Sequence, residues 1–191
     1  MWYVILFALV IFLDQGTKIL AAAFSGAVGN AGVSSVHLCW VIPDFIEIAY
    51  CENSNGSMGL FRGIPHIQTI FKIATVVIIA AILLYMIFSK KKRSKWLNVT
   101  LALILSGAIG NFIDRMTLVY VRDMIHVIID FGSGEIFPYI FNVADMALVI
   151  GAIMLVVHLL FLDKDAVFRF SKKKKKEEGG EEEKATSPEE T

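Results

Sequence analysis

Two short segments of this chain place acids where acids are costly. Residues 106–127 read SGAIGNFIDRMTLVYVRDMIHV, and residues 141–151 read FNVADMALVIG. Each sets an Asp beside an Asn and small residues at the edge of an apolar run. A carboxylate buried in lipid costs about 2.5–3.5 kcal/mol even on the mildest insertion scale. Asp123 and Asp145 must therefore be offset by partners or put to use. Two carboxylates held close in a low-dielectric site cannot both ionise, so one keeps its proton at neutral pH. One is then a base for water, and the other an acid for a carbonyl or a leaving amine. This is the chemistry of aspartic proteolysis, and such a pair titrates as a unit. Asn111 and Asn142 can hold the carboxylates or a peptide by hydrogen bonds. The residues alone leave a plainer alternative open, in which two helix-end aspartates cap helices and face water.

Other chemistries lack parts. The chain has no HExxH, CxxC or GxSxG, so metalloprotease, redox and serine-hydrolase readings have nothing to stand on. His37, His66, His126 and His158 show no ligand spacing, and no metal site is expected. Cys39 and Cys51 both precede the second apolar span. A disulfide is permitted if that loop lies outside the cell, and two free thiols are the alternative.

The elements that must position these acids are written in the apolar runs. Of 191 residues, 56% are hydrophobic, and the mean hydropathy of +0.65 is too high for a soluble domain. About twenty apolar residues cross a bilayer, and four stretches qualify, at about 2–24, 67–88, 96–113 and 140–162. The expected fold is an all-α membrane bundle of four transmembrane helices. A small β-containing extracytoplasmic region is expected between the first and second, where Val36–Ile42 and Phe45–Tyr50 flank a Pro43-Asp44 turn. Residues 1–165 form the membrane domain. Residues 166–191, a Lys run followed by a Glu/Gly run, are expected to be a disordered cytoplasmic tail.

Basic residues set the orientation. Lys90–Arg93 and Lys95 follow the second span, and Lys164, Arg169 and Lys172–Lys176 follow the fourth. Such clusters stay in the cytoplasm, so both termini are expected inside and both long loops outside. Asp114, Asp123 and Asp145 then lie near the outer face. On the third span Gly107, Asn111 and Asp114 fall on one stripe, and Ser106 with Gly110 permits close packing. Asn142 and Asp145 share a face of the fourth span. The first span carries Asp14 and Lys18 at i,i+4 spacing, able to pair away from lipid. Those two charges also argue against a cleaved leader.

Taken together, DQGTK at 14–18, SGAIGNFIDR at 106–115, VRDMIHV at 121–127 and FNVADMALVIG at 141–151 resemble lipoprotein signal peptidase, the bacterial type II signal peptidase. They occur in that family's order over roughly residues 3–162. The resemblance implies an intramembrane aspartic endopeptidase of the bacterial cytoplasmic membrane. Its substrate would be a diacylglyceryl-modified prolipoprotein, cut just before the lipidated cysteine. It maps the catalytic pair onto Asp123 and Asp145. It maps supporting positions onto Asp14, Lys18, Asn53, Gly107, Asn111, Asp114, Arg115 and Asn142. It implies no metal or organic cofactor, no nucleic-acid partner, contact with membrane lipids, a monomer, and inhibition by globomycin.

The first loop departs from the family's Asn-x-Gly-Ala-Ala-Phe-Gly element. Here Asn53 to Gly59 read NSNGSMG, so Asn55 competes with Asn53 as the matching amide. The segment before Asn142 is long and contains Gly132 to Gly134, where an altered flap over the site is expected. Two other function classes compete with the peptidase. One is a small proton-coupled carrier using the same acids, which lacks inverted repeats and broken helices. The other is a scaffold in which the acids only cap helices.

Overall fold

A computed structural model describes residues 2–28, 35–54, 64–89, 93–130, 136 and 139–162. Four helices are long and apolar enough to cross a membrane. They are α1 (Trp2–Val28), α2 (Ile67–Phe88), α3 (Lys95–Thr117) and α4 (Val143–Val157), the last continued by a π-helical turn, His158–Leu162. Four strands, β1 (Ser35–Ile42), β2 (Ile46–Asn53), β3 (Val121–Val127) and β4 (Ile140–Phe141), form one antiparallel sheet in chain order.

The helices fall on the four apolar runs, and β1 and β2 fall on the two strand-like runs. The sheet, however, is not confined to the segment between the first and second helices. β3 and β4 come from between α3 and α4, and Asp123 sits on β3 rather than at a helix end or in a loop. A lone two-stranded hairpin is marginal in water, and β3 gives β2 its second partner. The pattern Val121-x-x-x-Ile125-x-Val127, with Arg122 and His126 between, carried that signal in the sequence.

α3 is the central helix, packed against α1, α2 and α4. It buries Leu97, Leu101, Leu105 and Ala108, and also Thr100, Ser106, Asn111 and Asp114. α2 has no fully buried residue and presents most of its apolar surface outward. At one end of the molecule Ser94 caps α3, its hydroxyl accepting from the Leu97 amide at 3.1 Å. There the Trp96 indole donates to the Met154 carbonyl at 3.0 Å, setting the start of α3 beside the end of α4. The sheet occupies the opposite end.

Two glycines let α3 approach its neighbours. A Cβ on Gly107 would lie 2.7 Å from Leu148 Cγ of α4, and one on Gly110 would lie 2.6 Å from Asp14 Oδ2 of α1. Neither gap admits a methyl group. Between α3 and β3 the chain reverses through Val119 at φ 69°, a left-handed conformation costly for a β-branched residue. Both cysteines are free thiols. Cys39 faces Ile48 across the β1–β2 ladder while Cys51 faces Ser35, so the register keeps them apart. Asn55, Gly59, Gly132 to Gly134 and the charged tail at 166–191 lie outside the described residues.

Candidate active site

The site begins at the first turn of α4. Helix starts leave orphan backbone donors, and here three of them find side-chain oxygens. The Asn142 side chain accepts from the Asp145 amide at 2.9 Å, and Asp145 Oδ2 accepts from the Asn142 amide at 3.2 Å, a reciprocal capping box. The Ala144 amide donates to Asp14 Oδ1 of α1 at 2.9 Å. A carboxylate at a helix N-terminus also gains from the helix dipole.

Asp14 is fully buried and pairs with the equally buried Lys18 at 2.9 Å. A buried ion pair repays its desolvation only when its remaining donors and acceptors are satisfied. Lys18 Nζ meets this condition by donating to Asn111 Oδ1 at 3.0 Å and lying 3.6 Å from Asp114. Asp114, at the last turn of α3, accepts from the Arg122 backbone amide at 2.9 Å, from Arg122 Nε at 3.2 Å and from Nη2 at 2.7 Å. These three bonds tie β3 to the end of α3.

The two candidate acids meet on this frame. Asp123 accepts from Asn142 Nδ2 at 2.6 Å and from Asn53 Nδ2 at 3.0 Å. Asp145 accepts from Asn111 Nδ2 at 2.7 Å and from the Asn142 backbone amide at 3.2 Å. Each of the four carboxylate oxygens thus receives one N–H, and Asn142 serves both acids. Each oxygen can accept again, leaving capacity for a water or a shared proton. Burial, and then the charge of Asp145, push the Asp123 carboxyl up to about 7, against the pull of the Asn53 and Asn142 donors.

Both acids line a cavity of about 580 Å³ with Asn53, Asn111 and Arg115. Apart from Tyr139, its remaining wall is apolar, including Val121, Val127, Ile129, Phe141, Val149 and Ile150. The Arg115 guanidinium lies 5.2 Å from the centre of the Phe71 ring of α2, and its buried Nε has no hydrogen-bond partner among the described residues. A cation held over a ring face is attracted by the ring quadrupole, which fixes Arg115 at the cavity edge with a donor to spare.

The structure brings Asp14, Lys18, Asn53, Asn111, Asp114, Asp123, Asn142 and Asp145 into one hydrogen-bonded network. Gly107 stands apart from it as the point where α3 touches α4, and Arg115 borders the cavity. Asn53 reaches Asp123 itself. Gln15 and Arg122, which the sequence reading did not single out, also belong to this network. Gln15 Nε2 donates to Asp14 at 3.0 Å, to the Gly110 carbonyl at 3.0 Å and to Asp114 at 3.3 Å. Gln15 Oε1 accepts from Arg122 Nη2 at 3.2 Å, closing the ring around Asp114. Gln15 lies in DQGTK next to Asp14, and Arg122 lies in VRDMIHV next to Asp123.

The family model described as signal peptidase (SPase) II matches residues 6–161. A lipoprotein signal peptidase of Caldanaerobacter subterraneus subsp. tengcongensis is 38% identical over 152 residues, covering 80% of this chain and 91% of that protein. One of Enterococcus faecalis is 35% identical over 164 residues, covering 86% and 91%. Among solved structures, a bacterial membrane enzyme determined by the in meso method at 2.3 Å resolution superposes with a TM-score of 0.66 at 32% identity. It covers 83% of this chain and 87% of its own.

Proposed function

The chain belongs to the signal peptidase II family, and from that premise we propose that Asp123 and Asp145 are the catalytic acids of a lipoprotein signal peptidase. Its reaction is removal of the signal peptide from prolipoproteins. The observation that supports the catalytic assignment is the sharing of Asn142 between two buried acids on the wall of one cavity. A backbone carbonyl entering that cavity meets one acid carrying a proton and one able to take a proton from water. The protonated carboxyl donates to the carbonyl oxygen while the other activates the water. The tetrahedral intermediate then collapses with proton transfer to the leaving amine. The amides of Asn53, Asn111 and Asn142 hold the two carboxyl groups in place, so little reorganisation is needed as charge moves.

The apolar cavity wall suits an acyl-bearing substrate cut before its diacylglyceryl cysteine, and Arg115 supplies a donor for a substrate carbonyl. The four helices form a membrane-spanning bundle with the sheet end extracytoplasmic. Supporting this, the basic runs follow in sequence the C-terminal ends of α2 and of the turn after α4, the ends away from the sheet. The enzyme works as a monomer and is inhibited by globomycin. The carrier reading finds no support in the family or its relatives.

The test is gel-shift processing of a diacylglyceryl-modified prolipoprotein by the purified chain, with and without globomycin. Asp123→Asn and Asp145→Asn each lower the rate by about 10²- to 10⁴-fold, the usual weight of a general acid or base. Near wild-type cleavage by either correctly inserted variant overturns the assignment.

A further inference from the structure

The tip of the β1–β2 hairpin carries apolar side chains that stay about half exposed. Trp40 is 43% exposed, Val41 57%, Ile42 47% and Phe45 46%. They flank the tight reversal at Pro43-Asp44, where Asp44 adopts φ 56°. Single exposed apolar residues are ordinary, but a cluster of four marks a surface that meets something apolar.

The position of the hairpin identifies what it meets. Leu38 and Cys39, next to Trp40 in β1, line a second cavity with Thr17, Leu20, Ala21 and Phe24 of α1. Those α1 residues belong to the membrane-crossing stretch Trp2–Gly26. β1 therefore runs level with the last turns of a membrane span, and the tip lies within about 10 Å of strand from that contact. Leu20 and Phe24 are themselves 58% and 62% exposed. The apolar surface thus continues from the lipid-facing flank of α1 onto the hairpin. Beside it, Glu47 joins His37 and His126, bonding the latter's Nδ1 at 2.7 Å. The His37 and Trp40 rings lie 5.2 Å apart. A polar cluster against an apolar tip, with an indole between, is the order of groups met on passing from headgroups into acyl chains.

We propose that the β1–β2 hairpin is a second membrane anchor, with Trp40, Val41, Ile42 and Phe45 inserted among lipids of the leaflet at the sheet end. β2 pairs with β3, and Cys51 lies opposite Asp123 in that ladder. Anchoring the hairpin therefore holds the strand that carries Asp123 at the bilayer surface. The anchor is independent of which side of the membrane the sheet faces, and of catalysis.

Trp40 reports on this directly, because the only other indoles, Trp2 and Trp96, are at the opposite end. The full chain carrying Trp2→Phe and Trp96→Phe is reconstituted into phosphatidylcholine vesicles brominated at acyl carbons 6 and 7. The expected result is at least two-fold quenching relative to unbrominated lipid, with little quenching by aqueous acrylamide. Strong acrylamide quenching with no effect of bromolipid overturns the proposal. Adding Val41→Ser, Ile42→Ser and Phe45→Ser lowers the bromolipid quenching at least two-fold, and unchanged quenching rejects those side chains as the anchor. If the Trp96 change impairs folding, the difference between the wild-type and Trp40→Phe spectra isolates the same signal.

Discussion

Asn142 donates its side-chain amide to Asp123 at 2.6 Å, across 19 residues of chain, while the same residue caps the helix that carries Asp145. Helix capping and acid positioning are therefore one structural act. Asp145 can both complete a capping box and face Asp123, so the plain reading of a helix-end aspartate and the catalytic reading coexist at this residue.

The two roles of Asn142 separate by substitution. Asn142→Ala removes both and costs about 1 kcal/mol of stability through the lost cap. Asn142→Ser keeps a capping oxygen and recovers most of that stability. It still lacks the amide that serves Asp123. Both variants should process prolipoprotein on the order of 10²-fold more slowly, the weight of one preorganised donor. Recovery of activity by the Ser variant would show that only the cap matters.

The raised Asp123 carboxyl predicts a pH dependence. With its midpoint at about 7, the proton needed by the acid partner is lost as pH rises through neutrality. Processing should fall above about pH 7, and a flat rate from pH 6 to 9 would contradict a shared proton. Stability follows the same sign. The folded chain keeps a proton that the unfolded chain releases near pH 3.9, so wild-type stability falls as pH rises between those values. Asp123→Asn abolishes this slope, and its thermal midpoint should gain on wild type from pH 5 to pH 8.

Arg122 is the cation on which β3 hangs. Its removal takes two guanidinium donors from buried Asp114 and leaves the backbone amide, Gln15 and Lys18, so the loss is up to the roughly 3–5 kcal/mol of a broken buried pair. Arg122→Ala should lower the thermal midpoint in detergent sharply. Arg122→Lys should recover part of the loss, since an ammonium keeps the charge but not the two-pronged geometry. Equal midpoints for Arg122→Ala and wild type would remove Arg122 from the frame.

Helix spacing makes its own prediction. Gly110→Ala drives a methyl group to 2.6 Å from Asp14 Oδ2 and 3.1 Å from Ala144 Cβ, costing about 1–3 kcal/mol by overpacking. Gly16→Ala, with nothing within 4 Å of the added carbon, should be neutral or stabilise by up to about 1 kcal/mol. Chemical-denaturation midpoints of the two variants in the same detergent decide it.

The order of residues was enough to mark four helices long and apolar enough to cross a membrane, the short motifs that carry the polar residues, and Asp123 and Asp145 as the acids to watch. These follow from hydropathy over twenty residues and from polar groups too costly to stand in lipid unpartnered. Packing in three dimensions was needed to put Asp123 on a strand and to let Asn142 serve both acids. It alone revealed Gln15 and Arg122 closing a ring around Asp114. Those facts turn on pairings such as Asn142 with Asp123 and Arg122 with Gln15, 19 and 107 positions apart. Local periodicity records which face a residue prefers, but not which distant partner will meet it there.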